Sequence, residues 1–536
     1  MSEDLSSRRV FLRRAAATSA ISVAALGAGL VLDDCSQRTP GTTSTSTSTS
    51  TTTTILGPAT SRDWAHLGAS LAGTLVRPSS ASYATSSLLY NEKFTDLHPQ
   101  GIAYCESAQD VARCVDFATS HHMAMCARSG GHSYAGYSSC DGLVIDVSRL
   151  RGVRVDPSSN IAVIGAGALL IDAYNEVGAH SRLLPGGSCP TVGIAGLALG
   201  GGVGVFARRY GLTSDNLRTL EVVTADGTLV RANESEHADM LWASRGGGGG
   251  NFGIVTSFTF DVHVMPEVTL FTLQFPWGAA ATMLEAWLQW IDVAPDELWS
   301  NCVLESQGMY GFLGQVGGVF CGSPDELATY LSVLKSAIAA TPTYSFNGSN
   351  SYLSAMEIEA GCSGLSVAAC HLSSQNPLGE LNREAYSAKS SYVNAPLSSA
   401  GCVQIVDAIE HLASLAPTLG GALAFDSYGG AINRVASDAT AFVHRDKLAC
   451  IQATYSWSTG APSSVIDAGR TWLTWLGTSV FDPATGAYQN YIDPTLADWR
   501  SAYYGSNFDR LVRVKRHYDP ENHFSFAQSI PVHAAS

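Results

Sequence analysis

The chain has 536 residues, which is enough for roughly three or four domains of ordinary size. Its net charge is −15 and only 14% of its residues are charged, which argues against a nucleic-acid-binding protein because such proteins present a basic surface to phosphates. Glycine occurs 52 times, so many positions need unusual backbone angles or close approach of the backbone. Small molecules are therefore the expected partners.

The N-terminus has the pattern of an export signal. Paired Arg8 and Arg9 precede an uncharged run of small residues that ends before Asp33. The run is too rich in Ala, Gly and Ser for a membrane span, so the pattern predicts a twin-arginine signal over residues 1–35. Because twin-arginine export carries folded proteins, it also predicts a cofactor that is bound before the protein leaves the cytosol.

A Ser/Thr tract follows the signal and predicts a solvated linker over residues 36–60. Cys35 stands immediately before this tract and is a candidate lipid anchor to a membrane, although Asp34 occupies a position where a small residue is expected. The 12 cysteines show no zinc-binding spacing, so we predict no metal site and interpret most cysteines as buried thiols.

Residues 80–265 predict a first domain of short apolar strands, glycine-rich turns and a few helices, an α+β layout rather than a strict βαβ repeat. One segment, IAVIGAGALLIDAYNEVG, has the strand, glycines and helix of a dinucleotide-binding turn. However, Leu170 stands where the third glycine belongs, and no acidic residue follows a second strand at the required distance. A nicotinamide site of this type is therefore not predicted.

A second domain of mixed helix and antiparallel strand is predicted over residues 266–481. Its amphipathic segment AATMLEAWLQWIDVA places Trp287 and Trp290 on one helix face, which is typical of core packing. The remaining segment, residues 482–536, contains an amphipathic helix that should stop at Asp519, before a proline, and should return to the first domain.

Three glycine-rich segments are the candidate sites for chemistry. In RSGGHS, successive unhindered N–H groups lie beside the cation of Arg128, an arrangement suited to a pyrophosphate, although a lone GGH also fits a surface turn with an exposed His132. The second segment, PGGSCPTVG, contains Cys189, and the third, RGGGGGNFGIVTSFTF, leads from glycines into a strand.

In this order and spacing, the three segments resemble the berberine bridge enzyme family of flavin-linked oxidases, within the vanillyl alcohol oxidase superfamily. The resemblance runs from about residue 90 to Pro531 and includes AKSSYVNAPLS, DSYGGAINRV, FVHRDKL, YQNYID and YYGSNFDRLVRVKRHYDPENHFSFAQSIP. It implies a two-domain α+β fold of the PCMH type, with an FAD-binding domain and a substrate domain built on an antiparallel sheet.

The resemblance implies that FAD is attached through two bonds. His132 matches the histidine that is bonded to the flavin 8α-methyl carbon, and Cys189 matches the cysteine that is bonded to C6 of the same ring. Imidazole and thiolate are nucleophiles able to attack an electron-poor ring, and neighbouring glycines let the backbone approach it. The other cofactor contacts that the resemblance implies come from Arg128, Ser129, Gly130, Gly131, Ser133, Gly193, Gly253, Ile254 and Val255.

For the reaction, Tyr491 in YQNYID matches the catalytic base of many members of the family. Gln452 matches a position that faces the flavin and can bind substrate, and Asp426 matches an acidic partner of the tyrosine in sugar-oxidising relatives. A phenol with an ordinary pKa near 10 must have its anion stabilised to act as a base at neutral pH. Val203 stands where plant relatives often carry a tyrosine that assists the base, so a second tyrosine must come from elsewhere.

The sequence thus predicts an exported flavoprotein oxidase that takes a hydride from a hydroxyl-bearing carbon of a sugar, an oligosaccharide or a secondary metabolite, and reduces O2 to hydrogen peroxide. Val192 supports an oxidase because, in the family, a small side chain three residues after the cysteine accompanies access of oxygen. The alternatives are an oxidative cyclase, a dehydrogenase with another electron acceptor, and a flavin-carrying binding protein that has lost turnover.

Overall fold

The computed structural model describes residues 57–458 and 460–533. The predicted export signal, Cys35 and most of the predicted linker lie outside the described residues. Within the described ranges, no helix has both the length and the apolar character needed to cross a membrane.

Two small sheets and one two-stranded pair form the first half of the structure. Its strands are β1 (Thr74–Val76), β2 (Gly101–Tyr104), β3 (Met125–Arg128), β4 (Leu143–Asp146), β5 (Val153–Asp156), β6 (Ile161–Gly165), β7 (Arg182–Leu183), β8 (Leu217–Val223), β9 (Leu229–Ala232), β10 (Ile254–Asp261) and β11 (His263–Val264). Its helices are α1 (Ser61–Ser70), α2 (Tyr83–Ser86), α3 (Ala108–Ser120), α4 (Leu170–Ala179), α5 (Ile194–Leu199), α6 (Ala207–Tyr210) and α7 (Ala238–Ala243). One sheet has the order β1-β2-β4-β3, the other the order β5-β6-β10-β8-β9, and β7 pairs with β11.

The strand of the IAVIGAG segment is part of an antiparallel sheet. β6 pairs antiparallel with β10 on one side and with β5 on the other. A nicotinamide-binding Rossmann turn requires parallel strands joined by a crossover helix. The sequence-based exclusion of such a turn is therefore confirmed.

One large sheet dominates the second half. Its strands are β12 (Val268–Phe275), β13 (Leu298–Gln307), β14 (Phe312–Phe320), β15 (Tyr344–Asn350), β16 (Ala385–Val393), β17 (Gly420–Ser427) and β18 (Ala449–Trp457). The helices of this half are α8 (Ala280–Asp292), α9 (Pro324–Ile338), α10 (Tyr352–Glu359), α11 (Ser399–Leu415), α12 (Ala431–Arg434) and α13 (Ser463–Trp475). The strand order is β15-β12-β14-β13-β17-β18-β16, and every neighbouring pair is antiparallel.

The two faces of the large sheet differ in polarity because side chains alternate along a strand. Leu304, Phe425 and Ile451 point to one face and are buried in the second hydrophobic core, beneath α8, α11 and α13. Trp287 and Trp290 of α8 are buried in the same core, as predicted. The opposite face carries polar residues and faces the first half, which leaves space for a ligand between the two halves.

The C-terminal segment returns to the first core through α14 (Trp499–Tyr504) and α15 (Phe508–Tyr518). Helix α15 ends immediately before Asp519, as the sequence predicts. Lys515 of this helix is fully buried and donates to the Asp519 carboxylate at 2.7 Å and to the carbonyls of Asn251 and Phe524 at 2.7 and 2.6 Å. Because all three donors have acceptors, this buried charge ties α15 to the glycine-rich loop before β10. The helices and mainly antiparallel sheets confirm the predicted α+β class.

Candidate active site

One cavity of about 470 Å³ lies between the polar face of the large sheet and the first half. This volume is in the range of small-molecule sites. The structure brings together on its wall all of the residues that the sequence predicts as site residues: Arg128, Ser129, Gly130, Gly131, His132, Ser133, Cys189, Val192, Gly193, Gly253, Ile254, Val255, Asp426, Gln452 and Tyr491.

His132 and Cys189 approach the same hydroxyl group. His132 Nε2 lies 2.8 Å from Thr191 Oγ1, and Cys189 Sγ lies 3.8 Å from that oxygen. The His132 ring stacks on the Tyr90 ring, with centroids 4.0 Å apart and planes inclined by 20°. The two predicted attachment residues therefore meet the same side chain, which suits bonds to one edge of a single flavin ring.

The glycines around His132 allow the backbone of this segment to pack closely against the backbone of the segment that contains Gly193. A Cβ on Gly130 would lie 2.3 Å from Gly193 N, and a Cβ on Gly193 would lie 2.4 Å from Gly130 N. Gly131 adopts a φ of +72°, a conformation that favours glycine. The sequence-based explanation, approach of the backbone to the cofactor, thus needs correction at Gly130, where the missing side chain makes room for the Cys189 segment.

The predicted pyrophosphate site has backbone donors but no available cation. The Arg128 guanidinium is buried, pairs with the Asp146 carboxylate and donates to the Ser86 carbonyl at 2.8 Å. Its charge is therefore neutralised, and Arg128 joins β3 to β4. Within the described part of the chain, the backbone N–H groups of Gly130 and Gly131 have no acceptor, so they are available to an anionic group in the cavity.

The predicted cofactor contacts of the third glycine-rich segment lie at the start of β10. Ile254 and Val255 pair with β8, whereas β6 pairs with β10 only from Ser257 onwards. One edge of the backbone at Ile254 and Val255 therefore has no strand partner among the described residues. The free edge, the free N–H groups and the attachment atoms line one continuous cavity, so the residues present fit FAD.

Tyr491 lies in a 3₁₀ turn, Gln489–Tyr491, among other tyrosines. Its ring stacks on the Tyr134 ring, with centroids 5.3 Å apart and planes inclined by 18°, and it meets the Tyr488 ring edge-on at 4.9 Å. Gln452 Nε2 donates to Tyr134 Oη at 2.6 Å. Gln452 and Tyr491, which are predicted to act on the substrate, are thus connected through Tyr134.

Burial, followed by the negative charge of Asp426, raises the pKa of Tyr491 well above its ordinary value. Tyr491 is therefore a neutral phenol at neutral pH, and it can take a proton only if its own proton leaves at the same time. Asp426 is the second cause of the raised pKa, and a carboxylate is a group that can accept such a proton. A second tyrosine, Tyr134, lies beside Tyr491, but its influence also raises the pKa of Tyr491, so it does not stabilise the Tyr491 anion.

Tyr488 fixes the glycine turn in front of Tyr491. Its Oη accepts N–H groups from Gly202 at 2.9 Å, from Val203 at 3.2 Å and from Asn490 Nδ2 at 2.9 Å. Burial is the main cause that raises the pKa of Tyr488 to about 12. Val203 therefore contributes a backbone donor at the position where plant relatives contribute a phenol.

The cavity face of the large sheet is polar. Its polar lining residues are Asn301, Glu305, Gln315, Asp426, Gln452, Thr454 and Ser456, and Val303, Ala422 and Ala424 lie among them. Trp299 also lines the cavity, and its buried Nε1 has no acceptor in the described residues. Side chains of this kind donate to and accept from hydroxyl groups.

Glu305 is the main acidic group that the sequence does not reveal. Its side chain is buried on β13, and burial raises its pKa from 4.5 to about 7. Tyr134 is equally absent from the sequence-based site. The sequence contains a signal for each residue. Tyr134 is an aromatic residue two positions after His132, and Glu305 lies on a strand whose side chains alternate between two faces. Neither signal shows which partner the side chain meets.

The raised pKa of Glu305 predicts a pH-dependent stability. Between pH 4.5 and about 7, folded Glu305 keeps a proton that the unfolded chain has released, so the free energy of unfolding falls as the pH rises through this window. The expected loss is about 3 kcal/mol. Urea denaturation of the wild type and of Glu305→Gln across the window should show this loss only in the wild type. Parallel curves would mean that the carboxyl titrates normally.

Comparison with known proteins supports the interpretation of this cavity as an FAD site. A family model described as FAD binding domain matches residues 99–233, and one described as berberine and berberine like matches residues 487–531. An uncharacterized FAD-linked oxidoreductase of Bacillus subtilis is 32% identical, over 82% of this chain and 94% of that protein. The glucooligosaccharide oxidase of Sarocladium strictum is 30% identical, over 81% of this chain and 88% of that protein.

Solved structures support the same relationship. BBE-like 1 of Physcomitrella patens matches with a TM-score of 0.80 and 30% identity, over 88% of this chain and 100% of that chain. The match confirms the two-domain PCMH-type fold that the sequence motifs imply. On the sequence relatives and the structural match together, the chain belongs to the berberine bridge enzyme-like family of FAD-linked oxidoreductases.

Proposed function

We propose that this enzyme is an oxidase with bicovalently attached FAD that oxidises a hydroxyl group of a neutral sugar or oligosaccharide. The observation that carries the proposal is a single cavity lined by His132 and Cys189, by Tyr491 with Asp426 and Gln452, and by a polar sheet face. Similarity to a glucooligosaccharide oxidase supports the substrate class.

His132 and Cys189 would hold the flavin ring, while the free N–H groups of Gly130 and Gly131 would hold its pyrophosphate. Bound FAD would supply a two-electron acceptor for the hydride of the substrate carbon and pass the electrons to O2, giving hydrogen peroxide. Val192 also lines the cavity, and in this proposal its small side chain would leave O2 a path to the reduced ring.

Tyr491 Oη receives the proton of the substrate hydroxyl in this proposal. Because Tyr491 is a neutral phenol, its own proton passes to the Asp426 carboxylate in the same step. Gln452 is anchored to Tyr134 Oη at 2.6 Å, so its amide has a fixed position from which to orient the substrate hydroxyl. Removal of the hydroxyl proton makes the neighbouring carbon a better hydride donor.

The charge of the cavity favours a neutral substrate over an anionic one. Its described lining contains one guanidinium, that of Arg128, which is paired with Asp146. The carboxyl groups in the lining are those of Glu305, Glu359, Glu384 and Asp426. An anionic sugar acid would meet these carboxylates without a cation to pair with.

The cavity wall that the large sheet forms is also long. β13 contributes lining residues from Trp299 to Glu305, and at about 3.3 Å per residue these positions span about 20 Å. This length favours a chain of several sugar units over a single ring. It therefore supports an oligosaccharide.

Export completes the proposal. Paired Arg8 and Arg9 precede an uncharged run, so the enzyme would leave the cytosol by the twin-arginine route. Two covalent bonds would keep FAD attached where the cell does not replace it.

Anaerobic stopped-flow reduction tests the function. The purified yellow enzyme is mixed with neutral glucose oligosaccharides, with the same oligosaccharides carrying a terminal carboxylate, and with simple aromatic alcohols. The neutral oligosaccharides should bleach the flavin absorbance, and the carboxylates should do so far more slowly. A flavin that stays oxidised with every compound would identify a binding protein instead.

A further inference from the structure

Three pairs of cysteines lie close together in space as well as in sequence. The pairs are Cys105 with Cys114, Cys126 with Cys140, and Cys362 with Cys370, and in each pair the neighbouring thiol is the main cause that shifts the pKa of Cys105, of Cys126 and Cys140, or of Cys362. The first and third pairs are buried, whereas Cys126 and Cys140 are partly exposed and line the cavity. Small reagents in the cavity can therefore reach the second pair.

Cys126 and Cys140 stand at the two ends of the cofactor segment, residues 126–140. Cys126 lies on β3 beside Val144 of β4, and the Cys140 thiol donates to the carbonyls of Ala124 at 3.8 Å and Leu143 at 3.7 Å. The ends of the segment thus meet at the edge of the first sheet. The loop between them carries the residues that line the site, from Arg128 to Tyr134, and His132 is among them.

The two thiols of the pair differ in acidity, because the contact with Cys140, followed by burial, raises the pKa of Cys126 well above its ordinary value. The hydrogen bond from Cys126 is the main cause that lowers the pKa of Cys140, which increases the thiolate fraction at neutral pH. The thiolate is the form that attacks a disulfide. Cys302, by contrast, is fully buried in the second core, and burial raises its pKa.

We propose that Cys126 and Cys140 form a disulfide in the mature protein, which closes the cofactor segment into a covalent loop. The oxidant is a disulfide such as oxidised glutathione. Its S–S bond and the two protein S–H bonds break, a protein S–S bond forms, and two molecules of reduced glutathione carry away the two electrons and two protons. The closed loop restricts the unfolded chain and thereby stabilises the folded His132 segment.

Peptide mapping tests the disulfide directly. The purified holoenzyme is incubated with oxidised glutathione, denatured, alkylated and digested without reductant. We expect one linked peptide that contains Cys126 and Cys140, lighter by two hydrogens than the separate peptides, and an alkylated Cys302. Alkylation of both Cys126 and Cys140 in this protocol, or a link from either one to a different cysteine, would overturn the proposal.

A measurement of Tm separates the effect of the Cys126–Cys140 disulfide from the effect of replacing the two side chains. The Tm of the oxidised wild type should fall on addition of a reductant, whereas the Tm of a Cys126→Ser, Cys140→Ser double variant should not respond. The Cys302→Ser variant should respond like the wild type. If the double variant does not fold, Cys140→Ser alone should expose Cys126 to thiol reagents in the native enzyme, and protection of that thiol would count against the proposal.

Discussion

Replacing Tyr491 with phenylalanine is expected to lower kcat by about 10²–10⁴-fold, the range for loss of a proton-transfer group. The change removes only Oη and keeps the stacking on Tyr134 and the edge contact with Tyr488. Anaerobic stopped-flow reduction measures the effect, because it reports the step in which the substrate loses its hydroxyl proton and its hydride. The flavin absorbance before mixing should be unchanged.

Tyr392→Phe is the matched control for Tyr491→Phe. Tyr392 is buried outside the cavity lining, and its hydroxyl lies 3.4 Å from Tyr428 Oη. This variant should reduce its flavin at the wild-type rate. Wild-type reduction by Tyr491→Phe would remove the phenol from the mechanism and leave Asp426 as the direct base.

The Asp426→Asn variant tests whether the proton of Tyr491 passes to Asp426 or whether the two side chains contribute to the rate independently. If the proton of Tyr491 passes to Asp426, the two side chains act as one unit, and the double variant should be little slower than the slower single variant. If the two losses multiply, the residues act independently and the relay is wrong.

The His132→Ala, Cys189→Ala double variant is expected to release its flavin completely on acid precipitation. Wild-type protein should keep its yellow colour in the pellet, because the proposal joins it to the flavin ring by two bonds. Each single variant should also keep the colour, with an altered absorbance spectrum, because one bond remains. Intact mass should show the addition of one FAD in the wild type and in each single variant, but not in the double variant.

Cys302→Ala is the control for this experiment, since Cys302 is buried in the second core, away from the cavity. The colour of this variant should stay in the pellet. Release of flavin from the wild type would contradict covalent attachment, and release from one single variant would show that only the removed residue forms a bond.

The parts of the site that could be predicted from the sequence are those held in one local segment. The segment around His132 and the segment around Cys189 each combine a reactive side chain with the glycines that it needs, so each could be recognised alone. Their contact through Thr191 follows from the close approach of Gly130 and Gly193. The helix that ends before Asp519 was also predictable, because its apolar face and its stop signal are local.

The parts that could not be predicted depend on contacts across the chain. Tyr134 meets Gln452 over 318 positions of sequence, and nothing near either residue indicates the other. Glu305 has a raised pKa because the register of β13 buries its side chain at the cavity wall. The sequence predicts that the Arg128 charge is available to a phosphate, but its partner, Asp146, lies on the neighbouring strand and neutralises it.

Aerobic turnover with neutral oligosaccharides is the most direct test of the claim that this enzyme is a hydroxyl-oxidising oxidase. An oxygen electrode and a peroxidase-coupled assay follow O2 consumption and hydrogen peroxide together over a panel of mono- and oligosaccharides. We predict one hydrogen peroxide formed for each O2 consumed and for each hydroxyl oxidised. A flavin that the same sugars reduce, but that stays reduced in air and yields no peroxide, would contradict the account and identify a dehydrogenase.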